Sequence, residues 1–90
     1  MTRQMRITKA LEASFSPERL EVVDESAQHA GHAGAGGRDE THYRVTVVAA
    51  AFEGVSRLDR QRRINTALAA EFASGLHALS IRAQTPRVAG

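Results

Sequence analysis

The sequence predicts a small α+β domain in the order helix, strand, strand, helix, strand, and three observations carry that expectation. An apolar stripe of helical spacing opens the chain, two alternating segments flank a glycine-rich stretch, and a second helical stripe precedes a last alternating segment. This order lays the helices on one face of a three-stranded sheet. Ninety residues support one modest core, because a chain of this length buries only about 60 to 65 percent of its unfolded surface. Residues 1–90 therefore read as a single domain, with a flexible loop at about 27–40 and a polar tail at about 84–90.

Ile7, Ala10, Leu11, Ser14 and Phe15 fall on one helical face, while Arg3, Arg6, Lys9 and Glu12 lie mostly away from it. Pro17 ends this helix, since the residue before a proline avoids helical torsions. Leu20 to Glu25 reads as a short strand, and Tyr43, Val45, Val47 and Ala49 alternate with Arg44, Thr46 and Val48 in a second, so the two pair as a hairpin. Phe52-Glu53-Gly54 makes a turn, and Ser56 stands three residues before Asp59, an arrangement that caps a new helix. Ile64, Leu68, Phe72 and Leu76 then recur every fourth residue as the core stripe of a helix ending near Gly75, which the run Arg60 to Arg63 opens with a turn or a separate short helix. His77 to Ala83 alternates again as the third strand before Pro86.

The composition, 42% hydrophobic and 24% charged, is that of a folded domain and excludes wholesale disorder. A net charge of +2 makes the distribution of charge more informative than its sum. Absence of cysteine excludes a disulfide framework, and no stretch approaches the roughly 18 apolar residues of a membrane span. The basic start, Met1 to Arg6, lacks the apolar segment of a secretory signal, so a cytoplasmic protein is expected.

With thiols absent, imidazole is the only soft, pH-sensitive ligand on offer, at His29, His32, His42 and His77. His29 and His32 lie in a connection far longer than a hairpin loop. It reads either as a tolerated insertion or as a pliant arm that brings an imidazole to a partner or a cluster. His77 shares the phase of Leu79 and Ile81, which reads as a half-buried side chain bonded to the preceding helix end. It also reads as a ligand with one nitrogen fixed by a carbonyl and the other pointing outward. A zinc site through His29, His32 and His42 is a further arrangement.

Arg57, Arg60, Arg62 and Arg63, offset by Asp59, form a basic segment that is either a solvated helix face or a phosphate contact. No aromatic residue interleaves with it, which gives base stacking no support. Gly34 to Gly37 lacks the following lysine and helix of a phosphate loop. An enzyme is not expected, because Ser56, Ser74 and Ser80 have no nucleophile setting and Glu40 beside His42 has no third partner.

Leu20-Glu-Val-Val-Asp-Glu-Ser26, His29, Glu40-Thr-His-Tyr-Arg-Val45, Phe52-Glu-Gly54, Arg60-Gln-Arg62, Leu76-His-Ala-Leu-Ser-Ile81 and Thr85-Pro86 follow one another in an order that resembles the BolA family. The resemblance runs from about Phe15 to Pro86. It implies a fold similar to a class II KH domain, and a protein that binds a monothiol glutaredoxin and shares a bridging 2Fe-2S cluster with it and with glutathione. The roles implied are iron–sulfur trafficking or iron homeostasis. The histidine of the His-Ala-Leu motif, His77 here, is then a cluster ligand, with a second ligand from the loop at His29 and His32 as its alternate. Gln61 stands where the family commonly carries a histidine, and it cannot titrate near neutrality.

Two imidazoles in place of two thiolates make the ligand set less negative and raise the cluster potential. They also loosen the cluster in acid, because a ligating imidazole must be deprotonated and free histidine titrates near about pH 6.5. The alternative implied by the KH likeness is a DNA-binding transcription regulator that uses Arg57, Arg60, Arg62 and Arg63. Against it, no Gly-X-X-Gly loop occurs between Arg57 and Gly75. No membrane contact is expected, and the free protein is expected to be a monomer or a weak homodimer.

Overall fold

The computed structural model describes residues 2–26 and 41–86; the loop expected at 27–40, with His29 and His32, and the last four residues of the tail lie outside the described residues. Helix α1 spans Arg3–Phe15, started by Thr2, whose hydroxyl accepts the Met5 N–H at 3.2 Å. It stops at Ser16, which takes a left-handed conformation with φ 45° just ahead of Pro17. Ile7 and Leu11 are fully buried and Ala10 and Phe15 pack beside them, as the helical stripe predicts. Arg3 departs from the expectation that it faces away, being only 9% exposed.

Strands β1 (Arg19–Asp24), β2 (His42–Val48) and β3 (Ala78–Gln84) form one sheet in the order β1-β2-β3. The first pair is antiparallel with Val22 opposite Val45, and the second is parallel with Val45 opposite Ile81. Alternation turns Tyr43, Val45 and Val47 of the central strand fully into the core, while Leu20, Val22, Leu79, Ile81 and Ala83 of the two edges are partly covered. The opposite face carries Arg19, Arg44 and Arg82 in exposed positions.

After β2 a 3-10 turn, Ala50–Phe52, drives Phe52 into the core, with its ring 4.9 Å from that of Phe15. Helix α2 covers Arg57–Ala67, capped by the Ser56 hydroxyl, which accepts the Asp59 N–H at 3.2 Å. The single helix expected to carry the stripe Ile64, Leu68, Phe72 and Leu76 is instead broken at Leu68 (φ −104°, ψ 15°), and α3 runs from Ala69 to Ala73.

That break changes which side chains face inward. Ile64, Leu68 and Leu76 stay buried, but Phe72 is 37% exposed and the acidic Glu71 takes an interior position at 8%. Its carboxylate accepts Arg3 Nη1 at 2.9 Å and Arg6 Nε at 3.0 Å. Arg3 Nη1 also donates to the Glu71 carbonyl at 3.0 Å and to Ser74 Oγ at 2.8 Å, and Nη2 reaches the Ser74 carbonyl. A buried charge survives only where paired and hydrogen-bonded in this way. The pair fastens the start of α1 to the α3–β3 turn, where Gly75 has φ 128°.

Candidate functional site

Two short segments meet where β1 ends and β2 begins. Ser26, 3% exposed, accepts the N–H of Thr41 at 2.8 Å and of His42 at 3.0 Å through its hydroxyl, and its own N–H donates to Asp24 Oδ1 at 2.8 Å. The Glu25 N–H donates to the His42 carbonyl at 2.8 Å, and the Tyr43 hydroxyl donates to Asp24 Oδ2 at 3.4 Å. Arg44 stands 3.6 Å from Glu25. The residue run Asp-Glu-Ser is thus tied to Thr-His-Tyr-Arg by short side chains that serve backbone donors. A hydroxyl is suited to this, because it offers two acceptor lone pairs on a small group.

The same knot positions His77. The Thr41 carbonyl accepts both the His77 N–H at 2.9 Å and the Ala78 N–H at 3.1 Å, so the backbone entering β3 is held by the residue that Ser26 holds. His77 lies just outside the strand and its side chain is exposed. The half-buried placement, bonded to the preceding helix end, is therefore corrected. That helix end is served by other donors, among them the Leu76 N–H, which reaches the Glu71 carbonyl at 2.9 Å.

Beside His77 lies an imidazole that sequence reasoning did not pair with it. The His42 and His77 rings are 5.4 Å apart between centres and tilted by 57°. His42 is half-buried, with its Nδ1 3.0 Å from Thr41 Oγ1. The pairing follows from the parallel register, which sets His42 opposite Ala78 and so brings His77 alongside. That register is a long-range fact with no local signal. Among the described residues, no group of three or more His, Cys, Asp or Glu is gathered to hold an ion.

The four arginines divide between two clefts. Arg60 is spent on the fold, donating from Nε to the Val55 carbonyl at 2.8 Å and from Nη1 to the Ala83 carbonyl at 3.1 Å. Arg57 and Arg60 line a cleft between α2 and β3 with Gln61 and Arg82, whereas Arg62 and Arg63 line another against Ser14 and Phe15 of α1. Arg62 also stands 3.5 Å from Asp59. Among the described residues no helix is long and apolar enough to cross a membrane.

Fold and site together define a small α+β domain that carries an imidazole pair at one rim of its sheet. Comparison with known proteins supplies the family: BolA-like proteins match residues 11–87, and the chain belongs to that family. BolA-like protein 1 from Pongo abelii is 50% identical over 80 residues, covering 89% of this chain, which spans 56% of that relative's length. Among solved structures, BolA1 from Arabidopsis thaliana superposes with a TM-score of 0.87 at 43% identity, covering 96% of this chain and 94% of its own. The BolA domain of SufE1 from Arabidopsis thaliana gives 0.84 at 48% identity with the same coverage.

Proposed function

We propose that this chain is a non-catalytic partner in iron–sulfur trafficking or iron homeostasis, one that docks a monothiol glutaredoxin and shares a 2Fe-2S cluster with it. His77 supplies one ligand and His29 the second, with His32 as the alternate. The observation that carries the reading is the state of His77, an exposed imidazole on a backbone pinned at 2.9 Å to Thr41. A ligand offered to a cluster that another molecule holds must be accessible before docking and fixed in direction when it arrives.

The donor chemistry fits. Neutral imidazole nitrogen binds iron, and the two thiolates that this cysteine-free chain lacks come from the glutaredoxin and from glutathione. The bound cluster supplies electron-transfer capacity and transferable iron and sulfide. The chain's own work is to present nitrogen donors and to hold the strand ends from which they project. His29 follows Ser26 by three residues in the sequence, and the knot at Ser26 holds the strand end from which that segment departs.

The arginine segment gives the DNA-binding alternative less support, because Arg60 is engaged with backbone carbonyls and the remaining arginines divide between two clefts. The test of the cluster reading is to mix the protein with a cluster-loaded monothiol glutaredoxin and glutathione. Visible absorption and circular dichroism are then recorded for the wild type, His77→Ala and His29→Ala. Altered spectra in both variants are expected; unchanged spectra in both remove the ligand assignment.

A further inference from the structure

We propose that His42 and His77 form a two-imidazole chelate that binds a single divalent transition ion on the chain alone, with no glutaredoxin present. The first observation is distance: the ring centres are 5.4 Å apart. With zinc–nitrogen bonds of about 2.0–2.1 Å and tetrahedral angles, two imidazoles on one ion have ring centres roughly 5 Å apart. The observed spacing of the ring centres is close to that requirement.

The second observation is support. Both histidines project from backbone held by one residue, since Thr41 follows the Ser26 hydroxyl, its carbonyl accepts the His77 and Ala78 N–H groups, and His42 is next in the chain. Ligands on or directly beside paired strands lose less freedom on binding than ligands far out on a loop. The third is orientation. Thr41 Oγ1 lies 3.0 Å from His42 Nδ1, a contact that restrains the His42 ring.

Imidazole pairs suit zinc, copper and nickel over magnesium or calcium. Among the described residues no third protein ligand is gathered beside the pair. The chelate shares His77 with the cluster reading, but it needs only this chain and gives His42 a role that reading does not.

The experiment is a calorimetric titration of the untagged full chain with zinc chloride at neutral pH. A single binding event is expected, weakened by roughly tenfold or more in His42→Ala and again in His77→Ala. The double variant His29→Ala, His32→Ala should bind as the wild type does. Absence of zinc binding to the wild type, wild-type affinity in His42→Ala, or loss of binding in the loop double variant would each overturn the proposal. Because alanine at position 42 sits in the central strand, the wild type is also followed by long-range proton–nitrogen spectra of its imidazoles. Zinc should move the ring-nitrogen signals of His42 and His77 together, and unmoved signals for that pair contradict the site whatever the variants do.

Discussion

The Ser26 hydroxyl accepts the backbone N–H of His42 at 3.0 Å, joining two residues sixteen positions apart at the open end of the sheet. Ser26→Ala strands this donor and that of Thr41, so a loss of about 1–3 kcal/mol is expected in urea unfolding, the cost of an unmade bond to a buried group. The loss should be accompanied by faster hydrogen exchange at the Thr41, His42 and His77 amides. Unchanged exchange there would show that the knot does not hold the site.

Arg3 and Glu71 form an ion pair in which each side chain is 10% exposed. Glu71→Ala leaves the guanidinium without its carboxylate and should cost about 3–5 kcal/mol, a large part of the stability of a domain this small. Replacing both partners, Arg3→Met with Glu71→Leu, should recover most of the loss, because removing the charges together ends the desolvation penalty. A double variant as unstable as the single one would contradict this account.

Gly54 and Gly75 separate two effects of a side chain. Gly54 has φ 74° with open space around it, so Gly54→Ala should cost about 1 kcal/mol from torsion alone. Gly75 has φ 128° and an added Cβ would stand 3.2 Å from Arg3 Nη2, so Gly75→Ala should cost more, about 1–3 kcal/mol. Equal thermal shifts for the two would argue against the Arg3 contact.

Arg60 and Arg63 are neighbours in sequence with different duties. Arg60→Ala should lose about 1.5–3 kcal/mol, because a charged donor to two backbone carbonyls disappears. Arg63→Ala, at an exposed position, should stay within about 0.5 kcal/mol of the wild type. Chemical unfolding of the two variants checks the contrast, and it bears on DNA titrations as well, since a binding defect in Arg60→Ala would carry a folding component.

Much of the fold was legible because its signals are local. Ile7 and Leu11 on one helical face, the cap at Ser56 and the inward set Tyr43, Val45 and Val47 all follow from neighbours within a few positions. The break at Leu68 was not, because spacing of four through Phe72 continues as though the helix were whole, while the buried partner of Arg3 lies 68 residues away. The candidate site divides in the same manner. His77 was marked by the motif that contains it, but its neighbour His42 is set by parallel register between strands whose paired residues lie 36 positions apart, as in His42 and Ala78, which no local pattern encodes.

The central claim is that His77 donates a nitrogen to the iron of a shared cluster, and the most direct measurement is pulsed electron paramagnetic resonance on the reduced complex. The chain is labelled with nitrogen-15 and the glutaredoxin and glutathione are left unlabelled. The account predicts strong nitrogen-15 couplings from directly bound imidazole, with the His77 coupling absent in His77→Ala. A cluster that forms with this chain and shows no coupling to its histidine nitrogens would contradict it.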